Sequence, residues 1–178
     1  MRKEDGEDLS SFIPEEINIA AIIACRLKST RLPRKALLRI GELPSIELCI
    51  KNSLKFDHIK NTILATSYLD DDAELQKHLY SKDVIFFAGD PENVIKRYLD
   101  IIDKFEIDTF VRLTGDMPYV SNDILQILLR SHFTAQADYT TARKAAIGTN
   151  LEVINSGVLR EIKRFFPNPA YSEYMSYY

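Results

Sequence analysis

The chain has 178 residues, of which 46% are hydrophobic and 28% are charged, and its formal net charge is -3. This length suits one domain with a sizeable core, and the composition is that of a soluble globular protein. The acidic balance argues against a protein that is coated with positive charge for binding nucleic acid.

The first segment, residues 1–16, mixes charged residues with Ser, Gly and Pro and shows no hydrophobic periodicity. We predict a disordered or loosely docked tail there, followed by one domain over residues 17–178. The segment lacks the apolar core of a signal peptide, and no run of about 18 apolar residues follows it. These features predict a cytoplasmic protein without a membrane span, in which Cys25 and Cys49 are reduced thiols.

The rest of the chain alternates short apolar runs with amphipathic stretches. The apolar runs predict buried strands at 17–24, 61–67, 84–89 and 108–116. The amphipathic stretches predict helices at 45–56, 71–81, 91–105 and 122–133. Asp90 and Pro91 fit the start of the third helix. Two further strands, at 137–142 and 151–155, and a final helix at 156–166 complete the pattern.

This alternation is typical of βαβ units. It predicts an α/β fold, a three-layer α/β/α sandwich in which a mostly parallel, Rossmann-like sheet has helices on both faces. Ligands bind such sheets at the carboxyl ends of the strands. That rule selects the loops beginning at Cys25, Thr66, Gly89 and Gly115.

The first of these loops is strongly basic. Residues 24–39 contain no acid and six cations, which are Arg26, Lys28, Arg31, Arg34, Lys35 and Arg39. Because cations held this close repel one another, we expect a loop that binds an anion and is flexible without it. The alternative is a solvated basic turn. Neither GxxxxGK[ST] nor GxGxxG occurs in the chain, which argues against a P-loop kinase and a dinucleotide enzyme.

The loop after the strand at 108–116 carries an acid, Asp116, in the sequence RLTGDMPYV. A carboxylate at the end of a buried strand can hold a divalent ion against phosphates bound at the neighbouring loop. An Asp between Gly and a nearby Pro is also a common turn former. An acid and a basic loop at one sheet edge predict a site for a magnesium nucleoside triphosphate.

These motifs resemble those of the cytidylyltransferases that make CMP-activated acidic sugars. The run AIIACRLKSTRLPRKALL is similar to the family signature R-x-x-S-T-R-L-P-x-K, and the resemblance is closest to the SpsF-like spore-coat branch, which is related to the acylneuraminate and Kdo enzymes. Four further matches follow in order: ILATS (63–67), GDPENVIKRY (89–98), VRLTGDMP (111–118) and GTNLEV (148–153). The resemblance implies the nucleotide-diphospho-sugar transferase type of fold.

The resemblance also implies roles for the matched residues. Arg26, Arg31 and Lys35 would be catalytic cations around the triphosphate, and Asp116 would be the ligand of a Mg²⁺ cofactor. The implied nucleotide-binding residues are Ala24, Arg26, Ser29, Thr30, Arg31, Lys35, Ala65, Thr66, Ser67, Gly89, Arg97, Arg112, Thr114 and Gly115. The implied reaction is attack of an acidic sugar's hydroxyl on the α-phosphate of CTP, which gives a CMP-sugar and pyrophosphate.

The match departs from the family pattern in several places. Lys28 and Arg34 stand where the family commonly has Gly, and Asn150 stands where it usually has Asp, which leaves Glu152 as the acid. The segment 171–178 only faintly echoes the family's R-E-H-V-T-x-Y. The family also continues to a second metal-binding acid, so we expect either a piece of a longer polypeptide or a reduced homologue.

Two functions therefore stay open. The first is a nucleotidyltransferase that uses CTP, with GTP or UTP as variants, and the second is a nucleotide-binding or partner-binding domain that lacks full catalysis. An intact basic loop beside an incomplete set of acids predicts slow turnover, or a need for residues from a second subunit or an adjoining domain.

Overall fold

The computed structural model of the chain describes residues 11–29 and 32–167. Within these ranges the strands are β1 (Ile19–Ala24), β2 (Arg39–Ile40), β3 (Leu43–Pro44), β4 (Asn61–Ser67), β5 (Val84–Gly89), β6 (Thr109–Thr114), β7 (Tyr139–Thr141) and β8 (Glu152–Asn155). The helices are α1 (Ser45–Ser53), α2 (Asp70–Ala73), α3 (Val94–Phe105), α4 (Asn122–Thr134) and α5 (Ser156–Phe165). No helix in the described ranges is long and apolar enough to cross a membrane.

Six strands form one sheet in the order β5-β4-β1-β6-β8-β7. The pairs from β5 to β6 are parallel, whereas β8 runs antiparallel to both β6 and β7. The predicted mostly parallel sheet is confirmed. Ala24 lies opposite both Ala65 and Thr114, so β1 and β6 end level with each other, and β4 runs two residues further, to Ser67.

Alternating side chains of β1 divide the core into two layers. Ile19, Ala21 and Ile23 pack in the same cluster as residues of α1 and α4. Ala20 and Ile22 pack in the other cluster, with residues of α3 and α5. This strand is buried on both faces, which explains its continuous apolar sequence and confirms the three-layer arrangement.

The start of α3 differs from the prediction. Asp90 was expected to cap a helix beginning at Pro91, but Asp90 Oδ1 instead accepts from the N–H groups of Glu92 (2.9 Å) and Asn93 (2.8 Å) in a local turn. The helix begins at Val94, and the side chain of Asn93 caps it by accepting from Lys96 N. The prediction was wrong because Asp90 and Asn93, three positions apart, could each serve as the cap, and Pro91 falls inside the turn.

The predicted helix at 71–81 is only partly helical. The four residues of α2 continue as a 3-10 helix over Glu74–His78. The two buried side chains of this segment, Asp72 and Leu75, are three residues apart, which matches the three residues per turn of a 3-10 helix. The first helix is also shorter than its predicted range 45–56, and the hairpin of β2 and β3 was not predicted.

The proposed tail is described only from residue 11 onward. In this part Ile13 packs against the core, and the guanidinium of Arg130 lies 4.8 Å from the centre of the Phe12 ring. Residues 1–10 and 168–178 lie outside the described ranges. The predicted boundary between tail and domain stays a prediction.

Candidate active site

Three of the loops selected from the sequence converge at the carboxyl ends of β4, β1 and β6. Cys25 N donates to the carbonyl of Ala65 (3.0 Å), and Gly115 N donates to the carbonyl of Ala24 (2.9 Å). Each bond continues the sheet by one residue beyond the strand end. The loops after Ala24 and Thr114 therefore leave the sheet side by side, and β4 continues beside them to Ser67 before its own loop begins.

Gly115 is required by the close approach of two loops. A Cβ atom at this position would lie 2.7 Å from Cys25 Sγ and 2.9 Å from Ile46 Cδ1, which is closer than real Cβ contacts. The two thiols below this point are buried, and burial raises the pKa of Cys25 and raises that of Cys49 to about 12. Neither thiol is a nucleophile at neutral pH, so the chemistry here belongs to other groups.

Cations of the basic loop lie against acceptors. The Arg26 guanidinium donates to the carbonyl of Pro91, and Arg34 pairs with Glu74. Lys35 Nζ pairs with Asp116 Oδ2. The mutual repulsion expected from the sequence is therefore offset for these three cations.

Thr30 and Arg31, two of the predicted site residues, lie outside the described ranges. Ser29, the residue before them, accepts a hydrogen bond at Oγ from Leu32 N (3.3 Å). Its described contact shapes the loop, and its predicted nucleotide contact stays a prediction.

Arg34 has a left-handed backbone conformation, with φ 56° and ψ 26°. This geometry suits the glycine that the resemblance implies at the position, because glycine adopts positive φ without steric cost. For another residue the conformation costs about 1–2 kcal/mol. The ion pair with Glu74 and the bond from Arg34 N to the carbonyl of Leu27 (3.0 Å) hold it in place.

Asp116 presents a half-exposed carboxylate beside this loop. Thr114 Oγ1 donates to its Oδ1 (2.5 Å), Lys35 contacts its Oδ2, and 40% of the side chain is exposed. Partial burial raises the pKa of Asp116, but the hydrogen bonds from Lys35 and Thr114 outweigh it, and the net pKa is lowered. The group is an anion at neutral pH and can exchange Lys35 for another cation.

The donor set around Asp116 fits a particular kind of metal site. Within residues 11–29 and 32–167 there is no group of three or more His, Cys, Asp or Glu side chains that could enclose an ion. Mg²⁺ is often bound by one or two carboxylates together with substrate phosphates. One accessible carboxylate beside a basic loop fits that shared arrangement.

Glu152, the acid of the matched segment 148–153, is already engaged. Its Oε2 pairs with Arg112, its Oε1 accepts from the Tyr139 hydroxyl (2.8 Å), and only 18% of its side chain is exposed. Burial and then the Glu152 hydrogen bond raise the pKa of Tyr139 to about 12. At Asn150, Oδ1 accepts from Thr141 Oγ1 (3.2 Å). Neither residue presents an accessible carboxylate as Asp116 does.

Arg97 and Gly89, predicted to border the nucleotide, form the support of the site. Arg97 is 1% exposed, and its Nε and a terminal nitrogen donate to the carbonyl of Asp90 at 3.1 and 2.7 Å. Burial and the nearby charge of Arg26 lower the pKa of Arg97. A Cβ at Gly89 would lie 2.7 Å from Arg97 Cγ. Arg97 thus fixes the turn at 90–91 that Arg26 also binds.

The end of β4 forms the remaining wall. Ala65, Thr66 and Ser67 are buried there, and Thr66 Oγ1 has no hydrogen-bond partner among the described residues. Ser67 Oγ donates to Asp72, a residue that the sequence analysis did not select. Asp72 is one of three consecutive aspartates, a run typical of a solvated surface. The sequence signal that could have indicated the burial of Asp72 is its position three residues before the apolar Leu75.

Comparisons with known proteins agree on one family. Residues 20–177 match the family model described as Cytidylyltransferase. The spore coat polysaccharide biosynthesis protein SpsF of Bacillus subtilis is 31% identical over 151 residues, which make up 83% of this chain and 63% of that protein. The 3-deoxy-manno-octulosonate cytidylyltransferase of Nitrobacter hamburgensis is 26% identical over 145 residues, 79% of this chain and 55% of that enzyme.

The fold comparison agrees with the sequence comparison. The structure of a cytidylyltransferase from Leptospira borgpetersenii superposes with a TM-score of 0.77 at 24% identity, covering 92% of this chain and 74% of that chain. The present chain spans less than two thirds of the length of each of the two relatives above.

Proposed function

Because this chain belongs to the cytidylyltransferase family, we propose that it transfers CMP from CTP to an acidic sugar, with release of pyrophosphate, in polysaccharide or glycan biosynthesis. The observation that carries the proposal is the contact of Lys35 with Asp116. It places an exchangeable cation and an exchangeable carboxylate where the loops after β1 and β6 meet. Phosphoryl-type transfer needs positioning and charge neutralisation rather than a covalent intermediate.

The relatives support the choice of substrates. SpsF is a protein of spore coat polysaccharide biosynthesis, and the Nitrobacter hamburgensis relative is a cytidylyltransferase for 3-deoxy-manno-octulosonate, an acidic sugar. CTP and an acidic sugar are therefore the proposed substrates of this chain.

In the proposed reaction an oxygen of the sugar hydroxyl bonds to the α-phosphorus of CTP while the bond to the pyrophosphate oxygen breaks. Lys35 and Arg26, with Arg31 as the predicted third cation, would neutralise the triphosphate and the departing pyrophosphate. Lys35 would exchange Asp116 for a phosphate oxygen. Asp116 would hold Mg²⁺ together with the phosphates, and the bound ion would add positive charge at the oxygens that become more negative.

A catalytically weak binding domain is the second candidate, and one observation favours it. Glu152 is held by Arg112 and Tyr139, so it is not free to join Asp116, and the described residues contain no group of three or more His, Cys, Asp or Glu side chains that could hold a metal ion. We include in the proposal that a second subunit or an adjoining domain supplies the missing acid. A cytoplasmic location is likewise proposed, since two reduced thiols fit a reducing compartment.

Two measurements test the proposal. A thermal-shift series with CTP, UTP, GTP and ATP, each with and without Mg²⁺, should give the largest stabilisation with CTP and Mg²⁺. Pyrophosphate release from CTP with a panel of 2-keto acidic sugars should be slow but measurable for the wild type and should disappear in Asp116→Asn.

Asp123→Asn is the matched control, because it removes an exposed acid from the first turn of α4. Binding of CTP with no release in the wild type or in either variant would support the binding-domain function. Absence of any nucleotide-induced shift would reject both functions.

A further inference from the structure

Asp72 is a buried carboxylate that joins two walls of the candidate site. It is 2% exposed. Its Oδ1 accepts from Leu27 N at 2.7 Å, and its Oδ2 accepts from Ser67 Oγ. Leu27 belongs to the basic loop after β1, whereas Ser67 ends β4. The Asp72 side chain therefore bridges two segments that are predicted to bind the nucleotide, the basic loop and residues 65–67.

The burial of Asp72 distinguishes it from its neighbours. Asp70 and Asp71, in the same turn of α2, are exposed. Carboxylates are rarely buried unless their oxygens are satisfied, because removing a charge from water is costly. Both oxygens of Asp72 are satisfied, and one of the two donors is the backbone of the basic loop. The position is therefore built for a specific contact.

Leu27 takes part in two hydrogen bonds that fix the described parts of the loop. Its N–H is held by Asp72, and its carbonyl accepts from Arg34 N at 3.0 Å, which closes the loop on itself. Arg26 precedes Leu27 directly, and Lys35 follows Arg34. Holding Leu27 in place therefore also holds the backbone next to Arg26 and next to Lys35.

We propose that Asp72 is a positioning residue for the triphosphate: it fixes the backbone of the basic loop at Leu27 against the end of β4. This inference rests on the proposed nucleotide-binding function. The negative charge of Asp72 does not itself favour an anionic ligand, so its contribution is geometric. A neutral side chain that keeps the acceptor at Oδ1 should serve equally well.

The test compares Asp72→Ala with Asp72→Asn. Asn retains an oxygen for Leu27 N, and its amide can donate to Ser67 Oγ, because a hydroxyl both donates and accepts. We expect Asp72→Ala to raise the Kd for CTP by about tenfold or more, the size of a lost hydrogen bond to a charged group, and Asp72→Asn to stay within about threefold of the wild type. Calorimetry well below the melting temperature of each variant measures this.

A purely structural role would lower the melting temperature of Asp72→Ala without changing the CTP affinity of the folded protein. That outcome would overturn the inference, as would equal losses of affinity in Asp72→Ala and Asp72→Asn. Asp71→Ala is the control, because it removes an exposed carboxylate from the same turn. It should leave the affinity unchanged.

Hydrogen exchange provides a readout that needs no nucleotide. The Leu27 amide should lose protection in Asp72→Ala and keep it in Asp72→Asn and Asp71→Ala, while amides of β1 such as Ile22 remain protected. Unchanged protection of Leu27 in Asp72→Ala would overturn the inference. If Leu27 behaves as expected but the wild type does not bind CTP, the proposed function fails while the contact that positions the loop stands.

Discussion

Two regions of the same sheet hold their acids in different ways. Where the loops after β1 and β6 meet, Asp116 is 40% exposed and contacts the ammonium group of Lys35, whose side chain is 35% exposed. On β8, Glu152 is 18% exposed, pairs with Arg112 through one oxygen and accepts from Tyr139 through the other. Arg112 is itself only 17% exposed.

The difference separates an acid that can change partners from one that cannot. An exposed lysine pair contributes little stability and exchanges easily, whereas breaking a nearly buried arginine pair leaves a charge without its partner. Asp116 is therefore suited to ligand chemistry, and Glu152 is suited to joining β6, β7 and β8. The four predictions below test this division.

The largest effect is expected for Asp116→Asn. The substitution preserves shape but removes the charge proposed to hold Mg²⁺ and the triphosphate, so we expect pyrophosphate release to fall by about 100-fold or more. Stopped assays of pyrophosphate with CTP and the accepted sugar measure it. Glu152→Gln in the same assay should retain far more activity, and the reverse order would contradict the division.

Lys35→Ala should weaken CTP binding by about 1.5–3 kcal/mol, the scale of charge-assisted hydrogen bonds. The sequence predicts the same for Arg31→Ala, a residue outside the described ranges. Calorimetry with CTP and Mg²⁺ is the measurement. Lys60→Ala, which removes an exposed lysine just before β4 begins, is the control. Unchanged affinity in both loop variants would show that the loop is a solvated turn.

Glu152→Gln should reduce the free energy of unfolding by about 1–2 kcal/mol, because a nearly buried guanidinium loses its charged acceptor. Tyr139→Phe removes a neutral hydroxyl, which bonds to Glu152 and to Thr141, and leaves the Arg112–Glu152 pair in place, so it should cost less. Urea unfolding of the two variants and the wild type gives the comparison. A Glu152→Gln variant of wild-type stability that no longer turns over would instead make Glu152 a catalytic acid.

The smallest effect concerns acid pH. The pKa of Asp116 lies below its ordinary value of 3.8 in the folded protein. Its contact with Lys35 therefore stabilises the fold above that value, and this contribution is lost as the pH falls through the lowered pKa. Because the pair is exposed, we expect less than about 1 kcal/mol.

Urea unfolding of wild type and Asp116→Asn between about pH 6 and pH 3 isolates this contribution. The variant has no titratable group at position 116, and the other carboxyl groups are common to both proteins. The stability gap between the two proteins should narrow toward acid. A gap that widens toward acid would mean that the folded protein raises the pKa of Asp116.

Much of the fold could be predicted because its signals are local. The Ile-rich run of β1 indicated a strand buried on both faces, and the alternation of strands and helices indicated the parallel sheet. The start of α3 could not be predicted, because Asp90, Pro91 and Asn93 each favour a helix start and the choice depended on the turn at 90–91. The short pairing of β2 with β3 left no periodic pattern to detect.

The candidate site likewise has features that could be predicted from the sequence and features that could not. The sequence by itself determined which loops reach the ligand edge, because each follows a strand and parallel strands end together; Lys35 and Asp116 were found in this way. Only the tertiary structure decided that Asp72 is buried, that Glu152 is engaged by Arg112 and Tyr139, and that Arg97 supports a turn. The physical reason is that partners distant in the sequence, such as Leu27 and Asp72, which are 45 positions apart, determine which contacts each side chain makes, and no local pattern records such pairings.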